Sequence, residues 1–274
     1  MIVQQPIDGD SPFVIPLDSH QALAGQLAGA FGNDAFEALE PQGIMLFAVR
    51  HHDAGWAAAD DEPDVDAATG LPFSLEETPW PALLAIGPAS ADFNEKWHPY
   101  AGLLASMHVH GLYHDRYGLT RTSAMHNVPP AYRDDVARML DAESDRRRRI
   151  LDALREEETG ARWVSDDVLS CNYFRLQFFD RLAVNLNRVA PALIRDAEFH
   201  RVPAAPGREM TISLTVVAPG VLRLRPFPFA GSPLEVTCRG RYVPVRPGRT
   251  RKEMIAALRE APETLQRFTL LEDA

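Results

Sequence analysis

The segment Arg50–Trp56 contains the residues best suited to do chemistry in this chain of 274 residues. It reads Arg-His-His-Asp-Ala-Gly-Trp and follows the apolar run 44–49, which predicts a buried helix ending close to His52 and Asp53. An adjacent imidazole and carboxylate are costly to bury unless something binds them, and a metal ion can bind both. This pair is therefore the first candidate for a metal site, although it does not identify a substrate.

Two further histidines lie on the apolar faces of predicted helices. His20 shares a face with leucines on a helix predicted from about residue 18 to residue 31. His108 borders the apolar stripe of a helical pattern over residues 92–117, which Pro99 interrupts. A lone histidine on such a face is more often a hydrogen-bonded core residue than a ligand. Because these two accompany a histidine–aspartate pair, we expect both to point inward as ligands.

Asp180 lies in the middle of a helix predicted over residues 165–189, which is apolar nearly all round. A helix of that kind belongs at the centre of a fold. An unpaired carboxylate there would be costly, so Asp180 should have a cation beside it. A buried ion pair with Arg175, Arg181 or Arg188 is one interpretation, and we favour a metal ion over it.

The helical patterns predict a mainly α protein with a small C-terminal antiparallel β-sheet. Residues 1–195 are predicted to form a helical metal-binding domain, with an acidic, proline-rich loop or lid over residues 60–91. Further along, apolar residues alternate with polar ones, which predicts hairpins over residues 210–225 and 234–245, with turns at Pro219-Gly220 and Gly240. Residues 196–274 are therefore predicted to be a small β appendage packed on the helical body.

Charge and composition exclude several classes of protein. The net charge of −10 argues against non-specific nucleic-acid binding, which needs clustered basic residues. The one basic run, Arg146–Arg149, lies in an acidic helical pattern and is predicted to form ion pairs on a solvated face. No apolar stretch approaches the roughly 20 residues that span a bilayer, and residues 1–16 do not resemble a secretory signal. We expect a cytoplasmic protein that binds a small molecule, and a homodimer is compatible with the sequence.

The order of the candidates, which is His, His-Asp, His and Asp, resembles that of the HD-domain superfamily of metal-dependent phosphohydrolases. The resemblance implies an HD-like helical bundle whose ligands converge on one or two divalent transition-metal ions, either Fe, Mn, Zn or Ni. The implied ligands are His20, His52, Asp53, His108 and Asp180. His52 and Asp53 would also be catalytic, since the aspartate can bridge two ions and orient a bound water. His114 and His110 are candidates for a second metal site.

A second resemblance covers most of the chain. Several segments are similar to those of an uncharacterised bacterial family of unknown function with an HDxGW motif. These segments are His52–Trp56, residues 63–73, Ser106–His108 with Leu112-Tyr113, Leu176–Leu182 and Pro226–Phe229. This resemblance implies a fold and a site but no substrate.

The leading hypothesis is a metal-dependent hydrolase of the HD type that attacks a small phosphoester or nucleotide-like substrate with a metal-bound hydroxide. The candidates for substrate binding are Arg50, Trp56, Asp61 and Arg181. One alternative is a di-iron HD-type oxygenase, which needs a sixth ligand from His114 or His110. The other is a non-enzymatic, degenerate HD scaffold that binds a partner protein.

Overall fold

Seven strands form one sheet in the computed structural model, which describes residues 1–273. The strands are β1 (Ile2–Gln4), β2 (Phe13–Ile15), β3 (Ala197–Ala205), β4 (Arg208–Ala218), β5 (Val221–Arg225), β6 (Leu234–Tyr242) and β7 (Thr264–Glu272). Their order across the sheet is β1-β2-β6-β7-β5-β4-β3. Neighbouring strands are antiparallel except β5 and β7, which are parallel, so the sheet is mixed.

The predicted fold class, an HD-like helical bundle with a small C-terminal antiparallel sheet, is wrong. The sheet is large, and it includes the N-terminal strands β1 and β2, which join it where β2 pairs with β6. Each of those strands has only three residues, which is too short to show an alternating pattern in the sequence. Chain segments on both sides of residue 195 thus contribute to one sheet, and the division into two domains stays a prediction.

Gly240 explains why the second predicted hairpin is absent. The sequence suggested a turn there, yet β6 continues through Gly240 to Tyr242 and pairs with β7 along its length. A Cβ atom at Gly240 would lie 2.6 Å from the ring of Phe13 on β2. The glycine therefore allows close packing between two strands, and it is not a turn residue.

The described part of the chain also forms ten helical segments. They are α1 (Leu17–Ala30), α2 (Gln42–Arg50), α3 (Ala57–Asp61), α4 (Trp80–Trp97), α5 (Pro99–Leu112), α6 (Asp115–Gly118), α7 (Arg133–Arg155), α8 (Glu158–Trp163), α9 (Asp166–Asn187) and α10 (Arg251–Glu260). None of those within residues 1–273 is long and apolar enough to cross a membrane. The loop predicted over residues 60–91 is shorter than expected, because α4 begins at Trp80. Pro81 lies in its first turn and Pro88 inside it, so prolines that suggested a loop belong to a helix.

The helices that carry the candidate ligands pack against one another and against the sheet. α1 contacts β6, α9 contacts β3, and α1, α2, α5 and α9 form a connected group. Aromatic rings hold α9 in place: Phe179 packs edge-on against Phe31 just after α1, and Phe178 packs edge-on against Phe199 of β3. This apolar packing fixes the helices, and it thereby fixes the positions of the polar side chains they carry.

Candidate metal centre

The five predicted ligands come together where α1, α2, α5 and α9 meet. His20 lies on α1, His108 on α5 and Asp180 on α9, while His52 and Asp53 directly follow α2. The three imidazoles and the Asp180 carboxylate are buried, and the side chain of Asp53 is 17% exposed. The centre is therefore enclosed, and Asp53 gives it contact with solvent.

Four short distances define the centre. The Nε2 atom of His20 lies 3.2 Å from Oδ1 of Asp180, and Nε2 of His52 lies 3.5 Å from the same oxygen. On the other side, Nε2 of His52 lies 3.6 Å from Oδ2 of Asp53, and Nε2 of His108 lies 3.7 Å from Oδ1 of Asp53. His20, His52 and Asp53 form one group whose ligand atoms all lie within 4.8 Å, and His52, His108 and Asp180 form another.

Backbone contacts hold the His52–Asp53 segment in place. The Asp53 amide donates to Oε1 of Gln21 on α1, at 3.0 Å. The Gly55 amide donates to Oγ of Ser90 on α4, at 2.9 Å. A Cβ atom at Gly55 would lie 2.1 Å from the Ile86 carbonyl oxygen, so the glycine of the HDxGW motif is needed for the close approach of α4.

The imidazoles of His52 and His20 are oriented by acceptors on their far sides. The Nδ1 atom of His52 lies 2.8 Å from the Val49 carbonyl oxygen, which can only accept, so Nδ1 carries the proton. The Nδ1 atom of His20 likewise lies 3.2 Å from Oδ1 of Asn187. In neutral rings this leaves the Nε2 lone pairs facing carboxylate oxygens, and the buried Nε2 of His52 has no hydrogen-bond partner. Such contacts between acceptors require either a proton or a metal ion between them.

The pKa values reflect the same need for positive charge. Burial opposes the charging of His52, but the carboxylates of Asp53 and Asp180 outweigh it and raise the pKa of His52 to about 9. Burial also opposes ionisation of Asp180, but the Arg116 guanidinium and the neighbouring histidines hold the pKa of Asp180 well below its usual value. Burial lowers the pKa of His108 and favours its neutral form. Without a metal, a proton on His52 therefore supplies the missing positive charge.

Arg116 is a residue of the centre that the sequence did not indicate. Its Nη1 atom donates to Oδ2 of Asp180 at 2.8 Å and also to Oε1 of Gln177. The Nε2 atom of Gln177 then donates to Nδ1 of His108 at 3.0 Å. Arg116 thus replaces the arginines that the sequence offered as partners for Asp180, and Gln177 connects it to a predicted ligand.

The segment α6 is a left-handed turn and not a right-handed helix, and it carries Arg116. Asp115, Arg116 and Tyr117 have φ angles of 50°, 49° and 56°, and Gly118 has 82°. Left-handed backbone costs a non-glycine residue roughly 1–2 kcal/mol, so three in succession store strain beside the centre. Only Gly118 hints at this conformation in the sequence, because tertiary contacts impose it on the other three residues.

Residues 1–245 match the model of a family described as a protein of unknown function, DUF3891. The chain belongs to this family. The expected similarity to a family of unknown function is thus confirmed, and the matched residues include all five candidate ligands. No curated protein matches the chain, and no solved structure matches it either.

The four residues predicted to bind substrate lie in different surroundings in this DUF3891 member. Arg50 pairs with Asp18 at 2.6 Å, and the Arg181 guanidinium lies 5.5 Å from the centre of the Phe199 ring. Trp56 is buried and lines a cavity of about 400 Å³ between α3 and α4, while Asp61 is exposed. These contacts do not place any of the four directly against the candidate ligands.

His110 and His114 lie apart from the five ligands. Their rings stack in parallel with centroids 3.9 Å apart, and His114 is exposed. The Nδ1 atom of His110 lies 3.0 Å from the Tyr117 hydroxyl. Neither histidine belongs to a group of three or more metal-binding side chains within residues 1–273.

Proposed function

We propose that this protein is a metal-dependent hydrolase that works in the manner of the HD superfamily and cleaves a small phosphoester. The observation that carries the proposal is the buried Nε2 atom of His52, which has no partner and faces two carboxylates. Three imidazoles and two carboxylates form a donor set typical of Fe, Mn, Zn or Ni. Buried groups of this kind, oriented from behind by Val49 and Asn187, are typical of a metal site.

The geometry favours one ion over two. The two groups of metal-binding side chains share His52, and the Nδ1 atom of His52 is occupied by the Val49 carbonyl. His52 therefore offers a single lone pair, which both groups must use. One ion bound by His52, with the remaining four side chains around it, satisfies both groups at once.

The two partly exposed residues of the centre, Asp53 and Arg116, suit phosphoester hydrolysis. A divalent ion held there would lower the pKa of a bound water to about 7 and polarise a phosphoryl oxygen. Burial opposes ionisation of Asp53, but His52 and His108 lower its pKa, so its carboxylate can hold the ion and accept a hydrogen bond from a bound water. The side chain of Arg116 is 17% exposed, so its remaining N–H groups can bind the negative charge that develops on the phosphoryl group.

A di-iron oxygenase is less well supported by this arrangement. It needs a sixth ligand, and the two candidates for that role, His110 and His114, stack against each other outside the five-residue centre. A non-enzymatic scaffold would have no need for a histidine whose buried Nε2 lacks a partner. The hydrolase accounts for both observations.

The test is the metal content of the purified protein, measured beside its hydrolysis of bis(p-nitrophenyl) phosphate. After reconstitution with Mn, Fe or Zn, the wild-type protein should hold one ion per chain and release p-nitrophenol. His52→Gln should lose both the metal and the activity, while the matched variant His114→Gln should keep both. A wild-type protein that binds none of the three metals would overturn the proposal. One that binds metal but cleaves no phosphoester would keep the centre and overturn the reaction.

A further inference from the structure

A cavity of about 430 Å³ lies between α5, α7 and α9, outside the metal centre. Its wall is largely apolar and includes Met107, Leu151 and Tyr173. Its polar groups include Tyr117, Ser144 and Arg147. The volume falls within the range of about 300–1,000 Å³ that small-molecule sites occupy, and an apolar wall with a few polar groups is typical of them.

Arg147 is the distinctive residue of this α5–α7–α9 cavity. Its neighbours on α7 all have acidic partners: Arg146 binds Glu143, Arg148 binds Asp145 and Arg149 binds Glu95. Arg147 is half-buried and forms no ion pair within residues 1–273.

The hydrogen bonds of Arg147 go to hydroxyl groups, namely those of Tyr117 and, at 3.0 Å, Ser144. Its positive charge is therefore uncompensated on the wall of an apolar cavity. A guanidinium without a carboxylate partner is well suited to bind one from a ligand.

The cavity is separate from the metal centre. Tyr173 lies on α9 seven residues before Asp180, which places it about 10 Å away along the helix axis at 1.5 Å per residue. The rings of Tyr117 and Tyr173 pack edge-on with centroids 5.1 Å apart, and both line the cavity. A ligand in the cavity would therefore touch side chains other than the five metal-binding ones.

From this combination we propose that the α5–α7–α9 cavity binds an organic carboxylate with an apolar body, and that the carboxylate pairs with Arg147. The apolar body would cover Met107 and Leu151, and the acid group would supply the negative charge that Arg147 lacks. The Ser144 and Tyr117 hydroxyls, which already bind the guanidinium, keep it directed at the cavity wall. This inference does not depend on the proposed hydrolase activity.

Octanoate is the probe, and isothermal titration of the full-length protein is the measurement. Octanoate should bind with measurable heat, whereas acetate, which lacks the apolar body, and octanamide, which lacks the charge, should bind roughly tenfold more weakly or worse. The binding of octanoate should persist after treatment with a chelator and in His52→Gln. Loss of octanoate binding on either treatment would assign it to the metal centre and overturn the proposal.

Two variants locate the ligand. Arg147→Met keeps the length of the side chain and removes its charge, so octanoate should bind roughly tenfold more weakly while octanamide is unchanged. Arg155→Met, on the same helix, removes an exposed arginine that pairs with Asp152 and should change neither. Leu151→Trp fills the cavity and should weaken both probes. Equal octanoate binding by the wild-type protein and Arg147→Met, or no octanoate binding by the wild-type protein, would overturn the proposal.

Discussion

His108 and His110 lie two residues apart on the same helix, yet they belong to very different surroundings. His108 is buried beside Asp53, and Gln177 contacts its far side. His110 stacks on exposed His114 and contacts a tyrosine hydroxyl on the outer face of the protein. The inner histidine faces a carboxylate and the outer one does not. Histidine spacing alone therefore says little about metal binding, and the decisive features are the carboxylates that face the imidazoles and the polar side chains or carbonyls that fix the rings from behind.

The largest contrast is expected in metal binding itself. Asp180→Asn removes the negative charge that faces both His20 and His52, so the variant should retain almost no metal after dialysis. The double variant His110→Gln/His114→Gln should retain as much as the wild-type protein. Elemental analysis of the three proteins provides the measurement. A double variant that loses its metal would show that the outer pair takes part in the centre.

The second contrast is in how the unfolding free energy of the metal-free protein changes with pH. The pKa of His52 is raised to about 9 from 6.5, so its contribution to folding is complete below pH 6.5 and is lost as the pH rises through 9. The expected loss of unfolding free energy across this window is about 3 kcal/mol, at 1.36 kcal/mol per pKa unit.

Urea denaturation of the chelator-treated protein at pH 6.5 and pH 9 provides the test. Between these two pH values the unfolding free energy of His52→Gln should fall by about 3 kcal/mol less than that of the wild-type protein. His114→Gln should lose as much unfolding free energy as the wild-type protein. If the wild-type protein and His52→Gln lose the same stability, the carboxylates do not hold a proton on His52.

The third contrast concerns the groups behind the rings. Asn187→Leu removes the acceptor for Nδ1 of His20 and should weaken metal binding roughly 10- to 100-fold. Asn187→Asp restores an acceptor and should recover most of that loss. On the outer face, Tyr117→Phe removes the hydroxyl that contacts His110 and should leave the metal affinity unchanged. Competition titrations with a chromophoric chelator measure the metal affinities of all three variants. Equal affinities for Asn187→Leu and the wild-type protein would show that metal binding does not depend on the Asn187 acceptor for His20.

The smallest expected effect tests the left-handed turn that contributes Arg116 to the centre and Tyr117 to the contact with His110. Asp115→Gly should stabilise the protein by about 0.5–1 kcal/mol, because glycine adopts a φ of 50° without the penalty paid by aspartate. Asp141→Gly, at an exposed position inside α7, should instead destabilise it by about 0.3 kcal/mol, because glycine is a poorer helix former than aspartate. Thermal unfolding of both variants gives the comparison. Destabilisation by Asp115→Gly would mean that the aspartate side chain itself stabilises the turn.

The candidate site could be predicted further than the fold, for a physical reason. His20, His108 and Asp180 lie on long helices, where an inward-facing residue is recognisable from its apolar neighbours on the same face. Arg116 could not be found in this way, because a left-handed turn determines its direction. Gln177 was recognisable only in hindsight, as a residue one helical turn before Asp180 on a buried face.

The sheet was harder to predict because its pairings are distant in sequence. β1 and β2 are too short to show a period, and β3 contains Pro203 and an irregular register between Phe199 and Val202. Arg201 in that irregular segment has a φ of 56°. Gly240 looks like a turn residue in the sequence, and only the position of the Phe13 ring reveals its packing role. The hairpin of β4 and β5, whose strands are adjacent in sequence, was predicted and is present.

The position of β7 has a consequence for how the chain is made. It is the fourth of seven strands across the sheet, yet it is the last strand along the chain to be synthesised. Until residues 264–272 have left the ribosome, β6 and β5 cannot be joined through it, and each presents an unpaired edge to other chains. The sheet can therefore be completed only once residues 264–272 are available, and a chain that stops before Thr264 leaves β5 and β6 without the strand that joins them.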